Sequence, residues 1–232
     1  MEEFLSNMAM YLANILAYFA NMEAYLGKVL IRFAHILFGV LWIGLLYYFN
    51  FVQTEYFKES EASAKSDVVQ KLVPNALWYF RWAAAFTFLT GLYLLYFLKT
   101  SVSIEIILGA LMGTLMAANV WFIIWPNQKK VISGAADAAD AGAKAGLASR
   151  TNTLFSLPML YLMVYSAHSS DKAQPFIQSV DLTALWVGTA IIALIEANAL
   201  FGKMNPLIAS VKAVIHSGLL LTVIFGVLVH YL

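Results

Sequence analysis

The sequence predicts an all-α fold, a polytopic membrane helix bundle, and three observations carry that reading. Hydrophobic residues make up 62% of the 232-residue chain and charged residues only 12%, about half the ~25% charged share of an ordinary soluble domain. The mean hydropathy is +0.76. The apolar residues gather in runs of the ~20 residues needed to cross a bilayer, where a helix satisfies its own backbone because lipid cannot.

Taken in order, the chain opens with residues 1–27, read as an amphipathic N-terminal helix. Leu5, Leu12, Phe19 and Leu26 recur with Met8, Ile15 and Met22, while Asn7, Asn14 and Asn21 share a second stripe with Tyr11, Tyr18 and Tyr25. Two residues advance a helix by ~200°, so the stripes lie on roughly opposite faces. The segment starts with Glu2 and Glu3 and has no basic n-region, unlike a signal peptide. It is read as lying in the membrane interface or packing on a partner subunit, with a seventh span as the alternative.

Residues 28–232 are read as a single transmembrane domain of six spans. These are Lys28 to Val52, Pro74 to Leu98, Val102 to Trp125, Asn152 to His168, Leu182 to Leu200 and Pro206 to Tyr231. Two long connections, 53–73 and 126–151, are expected to be cytoplasmic loops. The second holds the Ala- and Gly-rich GAADAADAGAKAGLASR and reads as a linker. Basic residues are retained on the cytoplasmic side. Lys58, Lys65, Lys71, Arg81, Lys129, Lys130, Lys144, Arg150, Lys203 and Lys212 fall on one side, against Lys28, Arg32, Lys99 and Lys172 on the other. The expectation is a bacterial inner-membrane protein with its C-terminus in the periplasm.

Composition also excludes chemistry. With no cysteine, disulfides, thiolate metal sites, iron–sulfur clusters and covalent c-type heme are ruled out. A net charge of +1, spread over short loops, gives no footprint for nucleic acid.

All four histidines, His35, His168, His216 and His230, sit in or at the edge of apolar runs. His35, His168 and His230 share the outer half of the bilayer and His216 lies nearer the middle. Any one of them reads first as a packing or interfacial residue. As a set they point to a functional interior, because ionisable groups inside spans are costly. Imidazole is the common protein ligand of heme iron, so one or two b-type hemes between axial histidines are expected. His216 and His230, fourteen residues apart, return to nearly one face of their helix, and Trp42 is deep enough to pack on a heme.

A second polar layer is expected in the inner half. Arg81 and Glu196 fall at similar depth and read as partners, with Asn119, Asn198, Thr151 and Asn152 beside them. The bland reading is a structural ion pair. The sharper one is a site where Arg81 anchors an anion, Glu196 relays protons and Asn119 contributes a hydrogen bond.

The segments RFAHILFGVLWIGLLYYFNFVQ, WYFRWAAAFTFLTGLYLL, NVWFIIWPNQKKV and RTNTLFSLPMLYLMVYSAH resemble the membrane domain of the bacterial cytochrome-c-linked urate oxidases. The motifs H-x3-G-x2-W-I-G and N-V-W-F-x-I-x-P-N-Q carry the resemblance. It implies a membrane oxidase domain, with His35 and His168 on recurring histidine positions and electrons leaving to a c-type cytochrome. As heme iron ligands, His35 is expected on one side, with His168, His216 or His230 opposite. This sequence carries no C-x-x-C-H, so a separate cytochrome c or another respiratory subunit is the expected acceptor. A Ser follows His168, where the resemblance implies an aromatic. A small transporter, or a structural or assembly subunit of a respiratory complex, is the competing reading, and a homo-oligomer fits any of them.

Overall fold

Sequences this apolar form helices, and the computed structural model, which describes residues 2–98, 101–168 and 181–232, has no strand among them. Lys99 and Lys172 of the charge count lie outside the described residues. Helix α1 runs Glu2–Tyr47 and continues through a π-helical segment, Tyr48–Gln53, into α2, Thr54–Glu59. Next comes α3, Ala62–Leu98. Helix α4, Ile104–Ala118, passes through a second π-helical segment, Asn119–Ile124, into α5, Trp125–Ile132. The chain finishes with α6, Ala138–His168, α7, Thr183–Phe201, and α8, Val211–Tyr231.

Five stretches are long and apolar enough to span a membrane: Val29–Glu59, Ala62–Leu98, Ile104–Ile132, Thr183–Phe201 and Val211–Tyr231. The expected fourth span, Asn152 to His168, is the second half of the 31-residue α6, which is not among these five. Residues 150–156 are buried without interruption, and seven consecutive helical residues point in every direction, so this part of α6 is wrapped by protein and can be polar, while Leu160 and Val164 further on are exposed.

Both stretches expected as loops carry helix. Residues 53–73 are mostly α2 and the start of α3, and 126–151 hold α5 and the first turns of α6. The turn between α5 and α6 contains Gly134 at φ +63°, a left-handed conformation that suits a residue without Cβ. Ser103 and Ser210 cap α4 and α8, accepting from Ile106 N at 3.5 Å and Ala213 N at 3.1 Å. The boundary expected at residue 27 falls inside the continuous α1. Residues 3–22 of α1 are exposed throughout, so neither stripe of this segment is covered by the rest of the chain.

The packing register follows from a few contacts. Helices α1 and α3 are antiparallel, with Phe49 against Phe80 and Phe38 stacked on Phe86. Helices α1 and α6 are antiparallel too: the Tyr47 hydroxyl meets Ser156 Oγ at 2.9 Å and Asn50 donates to Ser149 Oγ at 2.8 Å. Ser103 meets Ser166, and Asn119 meets Asn152, along the antiparallel α4–α6 pair. Helix α8 runs parallel to α6 at close range, since a Cβ at Gly218 would lie 2.6 Å from Leu157. The basic residues of α2, α5 and the start of α6 therefore share one end, here called the basic end.

Candidate functional site

Most of the polar groups that the bundle buries gather near the basic end, around the two π-helical segments, with Thr87, Ser103 and Glu105 toward the other end. A π turn is wider than an α turn, leaves the regular hydrogen-bond ladder, and is often found at functional sites. Here the two segments deliver Asn50 and Asn119, both buried, to α6. Asn50 bonds Leu46 O at 2.9 Å as well as Ser149. Asn119 donates both of its amide hydrogens, to Asn152 Oδ1 at 2.9 Å and to Glu196 Oε2 at 3.2 Å, and Asn152 donates in turn to Met116 O at 2.9 Å. This chain of bonds ties three helices together and ends on a carboxylate that is 7% exposed.

The expected Arg81–Glu196 pair is not formed. No ion pair joins them among the described residues, whose three salt bridges all lie between exposed side chains. Arg81 sits in a tryptophan nest instead, its guanidinium carbon 3.8 Å from the Trp125 ring centre and 5.9 Å from those of Trp82 and Trp121. The ring faces attract the cation. Trp121 also donates its indole N–H to the Arg81 carbonyl at 3.1 Å, whereas Arg81 Nε is buried without a partner. The electron-rich rings supply what the carboxylate was expected to.

The histidines divide by environment. His35 is half-buried between α1 and α3, with Nδ1 2.9 Å from Thr87 O and 3.1 Å from Thr90 Oγ1. A carbonyl oxygen only accepts, so the proton is on Nδ1. A Cβ at Gly91 would stand 3.1 Å from His35 Cε1, so the ring is held against bare helix backbone. His168 is exposed, like the two histidines of α8, and places Nδ1 2.9 Å from Val164 O, one turn back on its own helix, which gives it the same tautomer as His35. In both rings Nε2 is left with a lone pair, the form an iron ligand needs, with the other nitrogen oriented by a backbone carbonyl. The two also share a depth: His35 precedes Tyr47 by twelve residues and His168 follows Ser156 by twelve, on antiparallel helices joined at Tyr47–Ser156. His216 and His230 have exposed side chains on α8, and His230 packs its ring edge-on to Tyr231. Trp42 is fully inside the core at 2% exposed, with an indole N–H that has no partner.

Among the described residues no three His, Asp or Glu side chains come together as a metal cage. A cleft of about 380 Å³ opens between α6, α7 and α8, lined by Thr151, Asn198, Asn205 and Ser217 among Leu and Ile side chains. Neither Arg81 nor Asn119 lines it.

Sequence reasoning missed two residues here. Asn50 was read as the end of an apolar span. Arg150 was counted as a loop charge, yet it is 6% exposed. The signal for both was available, since each polar residue falls on the helix face that carries the neighbouring apolar core residues.

An all-helical protein with membrane-length helices around a buried Asn–Asn–Glu cluster is the class that the fold and site define. The model of the family described as urate oxidase N-terminal matches residues 100–225, more than half of the chain, and the chain belongs to that family. The matched stretch includes Asn119, Arg150, Asn152, His168, Glu196 and His216, while His35, Arg81 and His230 lie outside it. No curated protein and no solved structure matches.

Proposed function

We propose that this chain is an integral-membrane oxidoreductase of the urate oxidase type, holding a b-type heme between His35 and His168 and passing electrons to a separate cytochrome c or respiratory partner. The observation that carries the reading is the pair of imidazoles at one depth on antiparallel helices, both protonated on Nδ1 by virtue of a carbonyl acceptor. Heme, when bound, supplies one-electron chemistry that no side chain here provides. The protein's own part is orientation: Thr87 and Thr90 fix the His35 ring, and Trp42, seven residues on and so on nearly the same face, closes the space beneath it.

The substrate side of the proposal is the polar layer of the basic half. Oxidising an organic substrate releases protons along with electrons. Glu196, bonded to Asn119, is the carboxylate placed to take them. Arg81 supplies a cation suited to an anionic substrate, and the cleft between α6 and α8 offers apolar walls beside Thr151 and Asn198. The basic end faces the cytoplasm of a bacterial inner membrane in this reading, which puts the histidine pair on the periplasmic side, near the electron acceptor.

The test is an optical spectrum, oxidised and dithionite-reduced, of detergent-purified protein from heme-replete cells, with His35→Ala and His168→Ala alongside. A b-type spectrum lost in either variant is expected. A colourless parent protein would overturn the heme assignment. A second reading, a subunit that docks in a larger complex, is favoured by the bare surface of residues 3–22. Native mass measurement on the gently solubilised protein separates it, since a subunit would carry other chains.

A further inference from the structure

Burying a guanidinium without a counter-charge is costly, and Arg150 is in that position. Its side chain is 6% exposed, and Nη1 is buried with no hydrogen-bond partner. No carboxylate stands within ion-pair distance of it among the described residues. The acid whose field reaches it is Glu55, and that carboxylate is already bonded to Lys58 at 2.7 Å. Arg150 thus presents a buried donor and a positive charge that no side chain among the described residues bonds or pairs with directly.

A second orphan lies one turn away. Gln53 ends the first π-helical segment, and its Oε1 is buried without a partner. The contacts Tyr47–Ser156 and Asn50–Ser149 set the antiparallel register of α1 and α6. Continued by one turn, that register puts Gln53 about 6 Å further toward the basic end than the Arg150 backbone, a distance that the long Arg side chain spans, and on the side of Glu55, whose field Arg150 feels. The two unmet groups are complementary in kind, since the guanidinium asks for an acceptor and the amide oxygen for a donor. Water satisfies the amide but leaves the charge uncompensated. A group with acceptor oxygens, a negative charge and a hydrogen of its own satisfies both.

We propose that Arg150 anchors an anion subsite at the basic end of the bundle, taking a hydrogen-bearing oxyanion such as a protonated phosphate, either free or as the headgroup phosphate of an anionic lipid, with Gln53 as the second contact. The subsite is separate from Arg81, which lies in its own tryptophan nest, and it does not depend on the redox reading.

The experiment follows thermal unfolding of the full chain by tryptophan fluorescence. In detergent, sodium phosphate is titrated against sodium chloride at matched ionic strength. In nanodiscs, phosphatidylcholine alone is compared with phosphatidylcholine containing phosphatidylglycerol. A saturable rise in midpoint of about 2 to 4 °C is expected, and it is lost in Arg150→Gln. That loss distinguishes site binding from the general stabilising action of phosphate salts. A rise in detergent identifies a free anion, and a rise only in phosphatidylglycerol discs identifies a lipid headgroup. No rise in either medium, or an equal rise in Arg150→Gln, overturns the subsite. Should Arg150→Gln fail to fold, Arg150→Lys carries the same test. Its ammonium keeps the charge but loses the forked geometry, so the apparent Kd rises about tenfold, and an unchanged Kd overturns the proposal.

Discussion

Glu196 keeps its carboxylate inside the bundle on one neutral donor, Asn119, and that donor is shared with Asn152. Asn119→Leu removes both bonds at once and leaves two buried acceptors unmet. Each costs about 1–3 kcal/mol, so a clear fall in the thermal midpoint of the purified protein is expected. Adding Glu196→Gln should recover part of the loss, because the amide carries its own donor and no charge to bury. Gly91 gives a second prediction at this scale. Gly91→Ala pushes a methyl to 3.1 Å from His35 Cε1, so the ring must tilt away from Thr87. On the heme reading proposed above, the expected outcome is a protein that still folds but whose optical spectrum is weakened or shifted relative to the parent. What the sequence showed at this scale was depth. Asn119, Asn152 and Glu196 were legible as one polar layer because helical rise is constant. The partner of Arg81 was not legible, since whether a cation meets a carboxylate or an indole face depends on which way each helix is turned.

Helix α6 shows how an element can be misread by the rule that finds its neighbours. Hydropathy detects a helix that faces lipid, and α6 faces α1, α4 and α8. Its polar run Arg150–Asn152 looked like the edge of a loop for the same reason. The first half of α1 is the converse case, legible as a two-striped helix and left uncovered. Removing residues 2–26 should leave the bundle's melting behaviour nearly unchanged while altering the native mass, if the stripes serve a partner. An unaltered mass would show that they face lipid headgroups alone. Between α5 and α6, Lys130 donates to Asp137 at 2.6 Å, and that bond holds the exposed carboxyl below its usual range. A lowered acid favours the folded form above its unfolded value and loses that support as pH falls through the folded one. Hydrogen-exchange protection in the turn around Gly134, taken relative to the intrinsic rate at each pH, should therefore fall below the carboxylate range, and Asp137→Asn should remove the dependence.

At the scale of the molecule, the division of charge between the two ends sets the orientation proposed above. A reporter fused after Leu232 should be active as alkaline phosphatase and dark as a cytoplasmic fluorescent protein. One inserted at Gly134 should give the opposite result. The architecture itself was largely legible, because membrane-length apolar runs admit little besides helices. The π-helical segments were not, since they are continuous with apolar helix on both sides and hydropathy does not register the pitch of a turn. That silence has a consequence for how such chains change over generations. The segment Asn119–Ile124 takes up one extra residue within one rod. Deleting Phe122, which is 79% exposed, would let the wide turn relax to an α turn. Five α steps of about 100° sweep nearly the arc of the six narrower π steps they replace, so Trp125 would keep its direction relative to Asn119 and go on covering Arg81. Two chains with the same membrane profile would then differ only in the turn that presents Asn119 to its partners, and a one-residue gap at this place in an alignment would mark where that wide turn had been closed.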